Sequence, residues 1–369
     1  MQNSSSPVTV VFAAGGTAGH VYPALAMAEK LQSFHSHFEV VFVGAENGLE
    51  EELVQRDGQR FIGFSAAPYH RTGLWGRLKI PPSVMKCFLQ SRAFLRQSGA
   101  GLVVGFGGFV TVGVFLAARS LGIPIIVHEA NVTPGLANRM FGRVAARVFL
   151  GWGQAAPTFP PDRTQVVGLP VRSSVLQAGA ESRKAPASDA RPFNLLITGG
   201  SEGSPFLNRR APDLVAALCR LGLKVDVIHQ CGFQDAELIE EAYGELPVNA
   251  RIIPFIDEMA EAYKWADFAV SCAGAGTLSE LAVMGLPALV VPLSSAAEDH
   301  QTANARAAAE AGTLWWIGEA QWDTEHLAAR IAKLWADQRQ WLEYAESMRS
   351  LAHYHAAESM LRYCLRMLG

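Results

Sequence analysis

The chain repeats itself. The segment VVFAAGGTAG at residues 10–19 returns as LLITGGSEG at 195–203, about half a chain later. Each copy is a β-rich apolar run that enters Gly-Gly-hydroxyl-x-Gly and then a helix-forming stretch. Such duplication implies two structurally similar halves. The apolar runs Val8–Ala14, Glu39–Gly44, Leu102–Gly105, Ile123–His128, Phe193–Thr198, Lys224–His229, Phe268–Cys272 and Ala288–Leu293 alternate with helical patterns. Nearly continuous apolar strands between helices are those of a mostly parallel sheet covered on both faces. The expected fold class is therefore α/β, two Rossmann-like domains with mostly parallel sheets facing a central cleft. At 369 residues the chain also exceeds the roughly 250–300 residues at which single cores stop growing.

The segment GLPVR at 168–172 reads as ordered, and AGAESRKAPASDARP at 178–192 as a small, polar surface loop just inside the second half. This puts the crossover near Gly168, with domains at 1–168 and 169–348. From Trp322 onward the pattern is helical. Its last stretch, Met348–Leu368, is amphipathic and able to pack on either half, and we assign residues 349–369 to the first domain.

Several function classes are disfavoured by composition. Half of the residues are hydrophobic and 18% are charged, yet no uninterrupted apolar run is long enough to span a bilayer. The start, MQNSSSPVTVVFAAGG, lacks the basic segment of a signal peptide, which predicts a cytoplasmic protein. Cys87, Cys219, Cys231, Cys272 and Cys364 never form Cys-x-x-Cys, so neither a zinc site nor a disulfide framework is expected, and each reads as a small buried apolar residue. A net charge of −3 speaks against nucleic acid as a partner.

The chemistry gathers in the loops. Gly15-Gly16-Thr17-Ala18-Gly19-His20 opens a helix, with Pro23 expected in its first turn and Ala24, Leu25, Ala28 and Leu31 at helical spacing. Glycines admit close backbone approach, and N–H groups at a helix start favour an anion. A tight turn without ligand is the plainer alternative. His20, with an ordinary pKa near neutrality, is suited to take a proton from an acceptor hydroxyl, or else caps and packs. A dinucleotide site fits less well, because Ala14 stands where G-x-G-x-x-G needs its first glycine, although Glu46 ends the next strand. In the second half, Ala273-Gly274-Ala275-Gly276-Thr277-Leu278-Ser279-Glu280 reads as another pyrophosphate cradle, with Glu280 placed to accept from ribose hydroxyls or to favour the helix dipole. The cluster Glu298-Asp299-His300-Gln301-Thr302-Ala303-Asn304 follows a strand at its carboxyl end, where open α/β sheets bind ligands. His128-Glu129-Ala130-Asn131 and Gly105-Phe106-Gly107-Gly108-Phe109 occupy equivalent ends in the first half, where they face the expected cleft or form ordinary turns. Finally, Arg71–Arg96 interleaves Leu74, Trp75, Leu78, Ile80, Val84, Met85, Phe88, Leu89, Phe94 and Leu95 with cations only. That pattern suits an anionic bilayer face or a buried helix with snorkelling arginines.

Together, GGTAGHVYPALA at 15–26, GFGGFV at 105–110, GIPIIVHEAN at 122–131, GLPVR, GGSEG with Asn208, FIDEMAEAYKWAD at 255–267, CAGAGTLSE at 272–280 and DHQTANA at 299–305 resemble the MurG family. These are bacterial UDP-N-acetylglucosamine transferases of glycosyltransferase family 28 that convert lipid I to lipid II in peptidoglycan synthesis. The resemblance spans nearly the whole chain. It implies a GT-B fold, inverting transfer with no cofactor and no catalytic metal, and peripheral attachment to the cytoplasmic side of the inner membrane at an anionic surface. It further implies donor contacts at Thr17, Ala18, Gly19, Asn131, Arg172 and Ser201, uracil beside the backbone of Ile256, phosphate and ribose at Ala275, Gly276, Thr277, Leu278, Ser279 and Glu280, and sugar contacts at Gln301 and Asn304. His20 is the implied base. Ala18, Ala130, Leu169, Glu202 and Cys272 depart from the family's usual residues, and Glu202 beside a diphosphate costs Coulomb energy unless it points away. The rival functions are a transferase for another lipid acceptor, a UDP-sugar epimerase, or a non-catalytic UDP-sugar-binding protein.

Overall fold

The computed structural model describes residues 8–34, 38–65, 80–181, 191–233, 236–310 and 314–368. It divides into two compact units, the first comprising residues up to Ser173 together with those from His353 on, the second Ser174–Ala352. The crossover thus falls slightly beyond Gly168.

The first unit runs β1 (Val8–Ala14), α1 (Ala18–Phe34), β2 (Phe38–Ala45), α2 (Leu49–Arg56), β3 (Arg60–Phe64), α3 (Ile80–Gln97), β4 (Leu102–Gly107), α4 (Val110–Ser120), β5 (Ile125–Glu129), α5 (Leu136–Gly142), β6 (Arg147–Leu150) and β7 (Thr164–Val166). Its strands form a seven-stranded parallel sheet in the order β3-β2-β1-β4-β5-β6-β7. Alternate side chains of the central strands lock together: the Phe12 ring lies 5.6 Å from Phe42, its register partner, and 5.6 Å from Phe106. All three are essentially unexposed. Each contributes about 1.5–3 kcal/mol by burial. α1 covers this sheet with Val21, Ala24, Leu25, Ala28 and Leu31. Since α1 begins at Ala18, Pro23 lies inside the helix and not in its first turn, and it has no N–H to donate to the Gly19 carbonyl.

The second unit repeats the scheme with α6 (Ser173–Gly179), β8 (Phe193–Thr198), α7 (Pro205–Arg220), β9 (Val225–Gln230), α8 (Ala236–Gly244), β10 (Asn249–Ile253), α9 (Met259–Trp265), β11 (Phe268–Ser271), α10 (Ala275–Met284), β12 (Ala288–Val290), α11 (His300–Glu310), β13 (Trp315–Trp316), α12 (Thr324–Ala336) and α13 (Gln338–Arg349). Its six-stranded parallel sheet has the order β10-β9-β8-β11-β12-β13. A bidentate pair from Arg191 to the nearly buried Asp267, at 2.7 and 2.6 Å, ties the start of β8 to the start of β11.

The terminal stretch is not one helix. Met348 belongs to α13, and after a turn α14 (Ala356–Leu368) returns to the first unit. There Glu358 Oε1 accepts from Lys30 Nζ at 2.8 Å, and the Tyr363 hydroxyl donates to the Ala146 carbonyl at 3.0 Å. In both sheets the strand order reverses beside the first strand, between β1 and β4 and between β8 and β11. In open α/β sheets, ligands bind outside the carboxyl ends of the strands at such a reversal. Among the described residues no helix is long and apolar enough to cross a membrane.

Candidate functional site

In the first unit, the loops after β1 and β4 are laced together. Gly15 N donates to the Gly107 carbonyl at 3.2 Å, and a side chain on Gly108 (φ +94) would collide with the Gly15 carbonyl. His20, in the first turn of α1, sits over this junction with Nδ1 2.7 Å from the Gly15 carbonyl. A carbonyl only accepts, so Nδ1 carries the proton and Nε2 presents its lone pair. Gly107 makes room for that edge of the ring, because a Cβ there would stand 2.8 Å from Nε2 and Cδ2. Burial lowers the His20 pKa below the ordinary 6.5, opposed by the Gly15 hydrogen bond and by the Glu50 charge. The imidazole is thus neutral near pH 7 and ready to accept a proton. Thr17 and Gly19 are exposed beside it, while Ala18 is buried.

Of the two readings of His128 and Glu129, facing a cleft or forming an ordinary strand-end turn, their burial favours the second. His128 is wholly unexposed, with Nε2 donating to the Gly168 carbonyl at 3.0 Å, and burial pushes its pKa down to about 4. Glu129 turns under the following loop. One carboxylate oxygen accepts from Asn131 N at 2.9 Å, the other from Gly135 N at 3.0 Å and Asn138 Nδ2 at 2.9 Å. Burial raises its pKa in spite of these bonds. Asn131 is left partly exposed on the loop that Glu129 orders. Arg172 stacks its guanidinium 4.4 Å above the ring of Tyr22, a residue of α1.

In the second unit, Gly200 (φ +79) matches Gly16 (φ +86), so the duplicated sequence also duplicates the left-handed turn. Ser204 Oγ caps α7 by accepting from Leu207 N at 3.3 Å. Ser201 is partly exposed and Glu202 exposed. Beneath this loop Asn208 is buried. Its Nδ2 donates to the Cys231 carbonyl at 2.8 Å, and its Oδ1 accepts from His229 Nε2 at 3.2 Å. His229 Nδ1 then accepts from the Tyr243 hydroxyl at 3.1 Å.

Gly274 starts α10 with no side-chain cap, and Gly276, Thr277, Ser279 and Glu280 form its more accessible face, with Ala275 and Leu278 buried. Glu280 Oε2 accepts from the Tyr263 hydroxyl at 3.0 Å, which fixes one carboxylate oxygen. Two residues expected to face a sugar also hold the loops. Gln301 Oε1 accepts from both Ala273 N and Leu293 N at 3.0 Å, and the fully buried Asn304 donates to the Ala273 carbonyl at 3.3 Å. Just before α11, Glu298 (φ 53) and Asp299 (φ 51) both adopt the left-handed conformation, a local strain that collects at functional sites. Ile256 is buried beyond β10, and burial pushes the Cys272 thiol up to about 12. Cys219, unlike the other cysteines, is only partly buried. Among the described residues, no three His, Cys, Asp or Glu side chains gather as a metal site.

The cation-rich stretch is described only from Ile80; Arg71, Leu74, Trp75, Arg77, Leu78 and Lys79 lie outside the described residues. On α3, Met85 and Leu89 are each 57% exposed, and a groove lined by Leu89, Arg92, Ala93, Arg96 and Gln97 runs beside them.

The chain matches the glycosyltransferase family 28 N-terminal domain over residues 10–150 and the family 28 C-terminal domain over residues 194–360. It is 39% identical to a UDP-N-acetylglucosamine–N-acetylmuramyl-(pentapeptide) pyrophosphoryl-undecaprenol N-acetylglucosamine transferase of Methylococcus capsulatus, covering 98% of this chain and 99% of the relative. A protein of the same description from Nitrosococcus oceani is 38% identical with the same coverage. The crystal structure of Acinetobacter baumannii MurG superposes with a TM-score of 0.75 at 31% identity, over 98% of this chain and all of that one. A UDP-GlcNAc 2-epimerase from Neisseria meningitidis, at 14% identity and TM-score 0.68 over 97% of this chain and 100% of its own, shares the fold alone. Matched in both halves and across nearly its whole length, the chain belongs to glycosyltransferase family 28, the MurG family.

Proposed function

We propose that this chain transfers N-acetylglucosamine from UDP-N-acetylglucosamine to the 4-hydroxyl of the muramoyl sugar of undecaprenyl-pyrophosphoryl-MurNAc-pentapeptide, lipid I, giving lipid II with inversion. Family membership supplies the reaction class. Within the chain, the observation that carries the reading is the His20 tautomer, with Nδ1–H spent on Gly15 and Nε2 left as a proton acceptor. The hydroxyl attacks the anomeric carbon as Nε2 removes its proton, the carbon–oxygen bond to the diphosphate breaks, and UDP leaves with the bonding pair. In the second unit, backbone N–H groups at the start of α10 and in the Gly200–Gly203 turn suit the negative charge of that leaving group. Glu280 serves the ribose and the Ile256 backbone the uracil. Gln301 and Asn304 set the loop carrying Ala273, and the Gln301 amide nitrogen serves the sugar. In the first unit Thr17, Ala18, Gly19, Asn131 and Arg172 complete the donor contacts.

The test is incubation with UDP-N-acetylglucosamine and a lipid I analogue. Equimolar UDP and a lipid-linked disaccharide are expected. UDP release without glycolipid, transfer only to another lipid acceptor, or binding without turnover would remove the reading.

We further propose that α3 rests on the anionic cytoplasmic face of the membrane. Exposed Met85 and Leu89 lie beside Lys86, Arg92 and Arg96, an arrangement that adds apolar insertion to attraction for acidic headgroups. Reversing the three charges should weaken binding to phosphatidylglycerol vesicles at least about a hundredfold, at roughly 1 kcal/mol per basic residue. The effect should shrink in high salt. Vesicle binding that survives the triple reversal would sink the proposal.

A further inference from the structure

Glu50 belongs to the acidic run Glu50-Glu51-Glu52 at the start of α2, yet it is only 2% exposed. Its Oε1 accepts from Ala45 N at 2.8 Å, and its Oε2 takes a longer bond from Gly16 N at 3.4 Å. Glycines make the space it fills. A Cβ on Gly44 would lie 2.6 Å from Glu50 Cγ, one on Gly15 would lie 2.9 Å from Oε1, and one on Gly48 would overlap Oε2. The carboxylate is therefore caged directly under the loop whose Gly15 carbonyl holds His20 Nδ1. Burying a carboxylate costs several kcal/mol unless something is gained from it.

We propose that Glu50 is a positioning residue for His20: it sets the Gly15–Gly16 turn that fixes the imidazole's tautomer, and its charge steadies the imidazolium formed when the acceptor hydroxyl is deprotonated. The inference rests on His20 being the base. The titratable groups that face His20 are Glu50 from the start of α2 and His128 from β5; the Gly15 carbonyl and the Thr17 hydroxyl, 3.5 Å from Nδ1, complete its polar surroundings. His128 is held neutral, so Glu50 supplies the charge in that set, and it opposes the burial that drives His20 toward the neutral form.

The experiment titrates His20 by NMR in the wild type and in Glu50→Gln, and measures kcat against pH for both. In the variant, His20 should titrate at lower pH, the acid limb of kcat should move the same way, and plateau kcat should fall about tenfold with KM for UDP-N-acetylglucosamine unchanged. A variant that is merely less stable to heat, with the His20 titration and the acid limb unmoved, overturns the inference. If Glu50→Gln does not fold, Gly48→Ala displaces the carboxylate while keeping its charge: lowered kcat at unchanged KM is expected, and wild-type kcat overturns the inference. Failure of the base reading shows separately, as turnover that survives His20→Ala, and the NMR titration still judges the hold of Glu50 on the imidazole.

Discussion

Replacing His20 with alanine should lower kcat for lipid II formation by about 10²–10⁴-fold, the usual worth of a positioned general base, while UDP binding stays close to the wild type. The asymmetry follows from where the groups lie. The imidazole stands on the β1 turn of the first unit, whereas the α10 start, Glu280 and Ile256 belong to the second. His20→Asn is the sharper control, because its amide can still donate to the Gly15 carbonyl but offers no base. Both variants should lose turnover alike. If the asparagine enzyme keeps its rate, the imidazole acts only as a strut for the loop. The pH profile gives an independent reading: since burial lowers the His20 pKa, the acid limb of kcat should have its midpoint below pH 6.5, where Nε2 is protonated. An acid limb above pH 6.5 would belong to another group.

The parts of this molecule visible in its sequence are those where one residue type satisfies a backbone need. Gly16 and Gly200 announce two left-handed turns, and the apolar runs before them announce the central strands of both sheets. β3 and β7 are the edges of the first sheet and β10 and β13 those of the second; the first three have half-polar sequences and β13 spans only two residues, so they carry little β signal. Roles that depend on three-dimensional enclosure were harder to read. Glu50 looks like one of several acids on a solvated helix turn, and only the folding of Gly15, Gly44 and Gly48 around it creates a cage. Gln301 and Asn304 have the chemistry of sugar-binding amides, but the loops after β11 and β12 expose N–H and carbonyl groups that must be paired, and these side chains pair them. The departures from the family pattern resolve in similar terms. Ala18, Ala130, Leu169 and Cys272 are buried and bring no unpaired charge, and Glu202 is exposed, where solvent and salt screen its repulsion of a diphosphate.

Acid should destabilise the second unit through His229. The imidazole is unexposed and its hydrogen bonds are directional: Nε2–H donates to Asn208 and Nδ1 accepts from Tyr243, so no lone pair is left for a second proton without breaking the chain of bonds. Burial accordingly pushes its pKa down to about 3. In the unfolded chain the same histidine titrates near 6.5, so below that pH the unfolded state binds a proton that the folded state refuses. The stabilisation is fully present above pH 6.5 and is lost as pH falls toward about 3. The slope is about 1.4 kcal/mol per pH unit, which makes the loss roughly 3 kcal/mol at pH 4.5. That is a large fraction of the about 5–15 kcal/mol by which a domain is stable. His229→Gln can imitate the neutral tautomer, donating to Asn208 and accepting from Tyr243, without titrating. Denaturant unfolding at pH 7 should find the variant less stable than the wild type, and the gap should close and then invert as pH falls to 4.5, because only the wild type carries the proton-linked loss. His128, whose pKa is lowered to about 4, adds a similar slope to the first unit in both proteins and cancels in the difference. A stability gap that stays constant from pH 7 to 4.5 would mean that His229 takes up its proton in the folded state as readily as in the unfolded chain, with Nε2–H still donating to Asn208 and the Tyr243 bond reversed so that Nδ1–H donates to the hydroxyl oxygen.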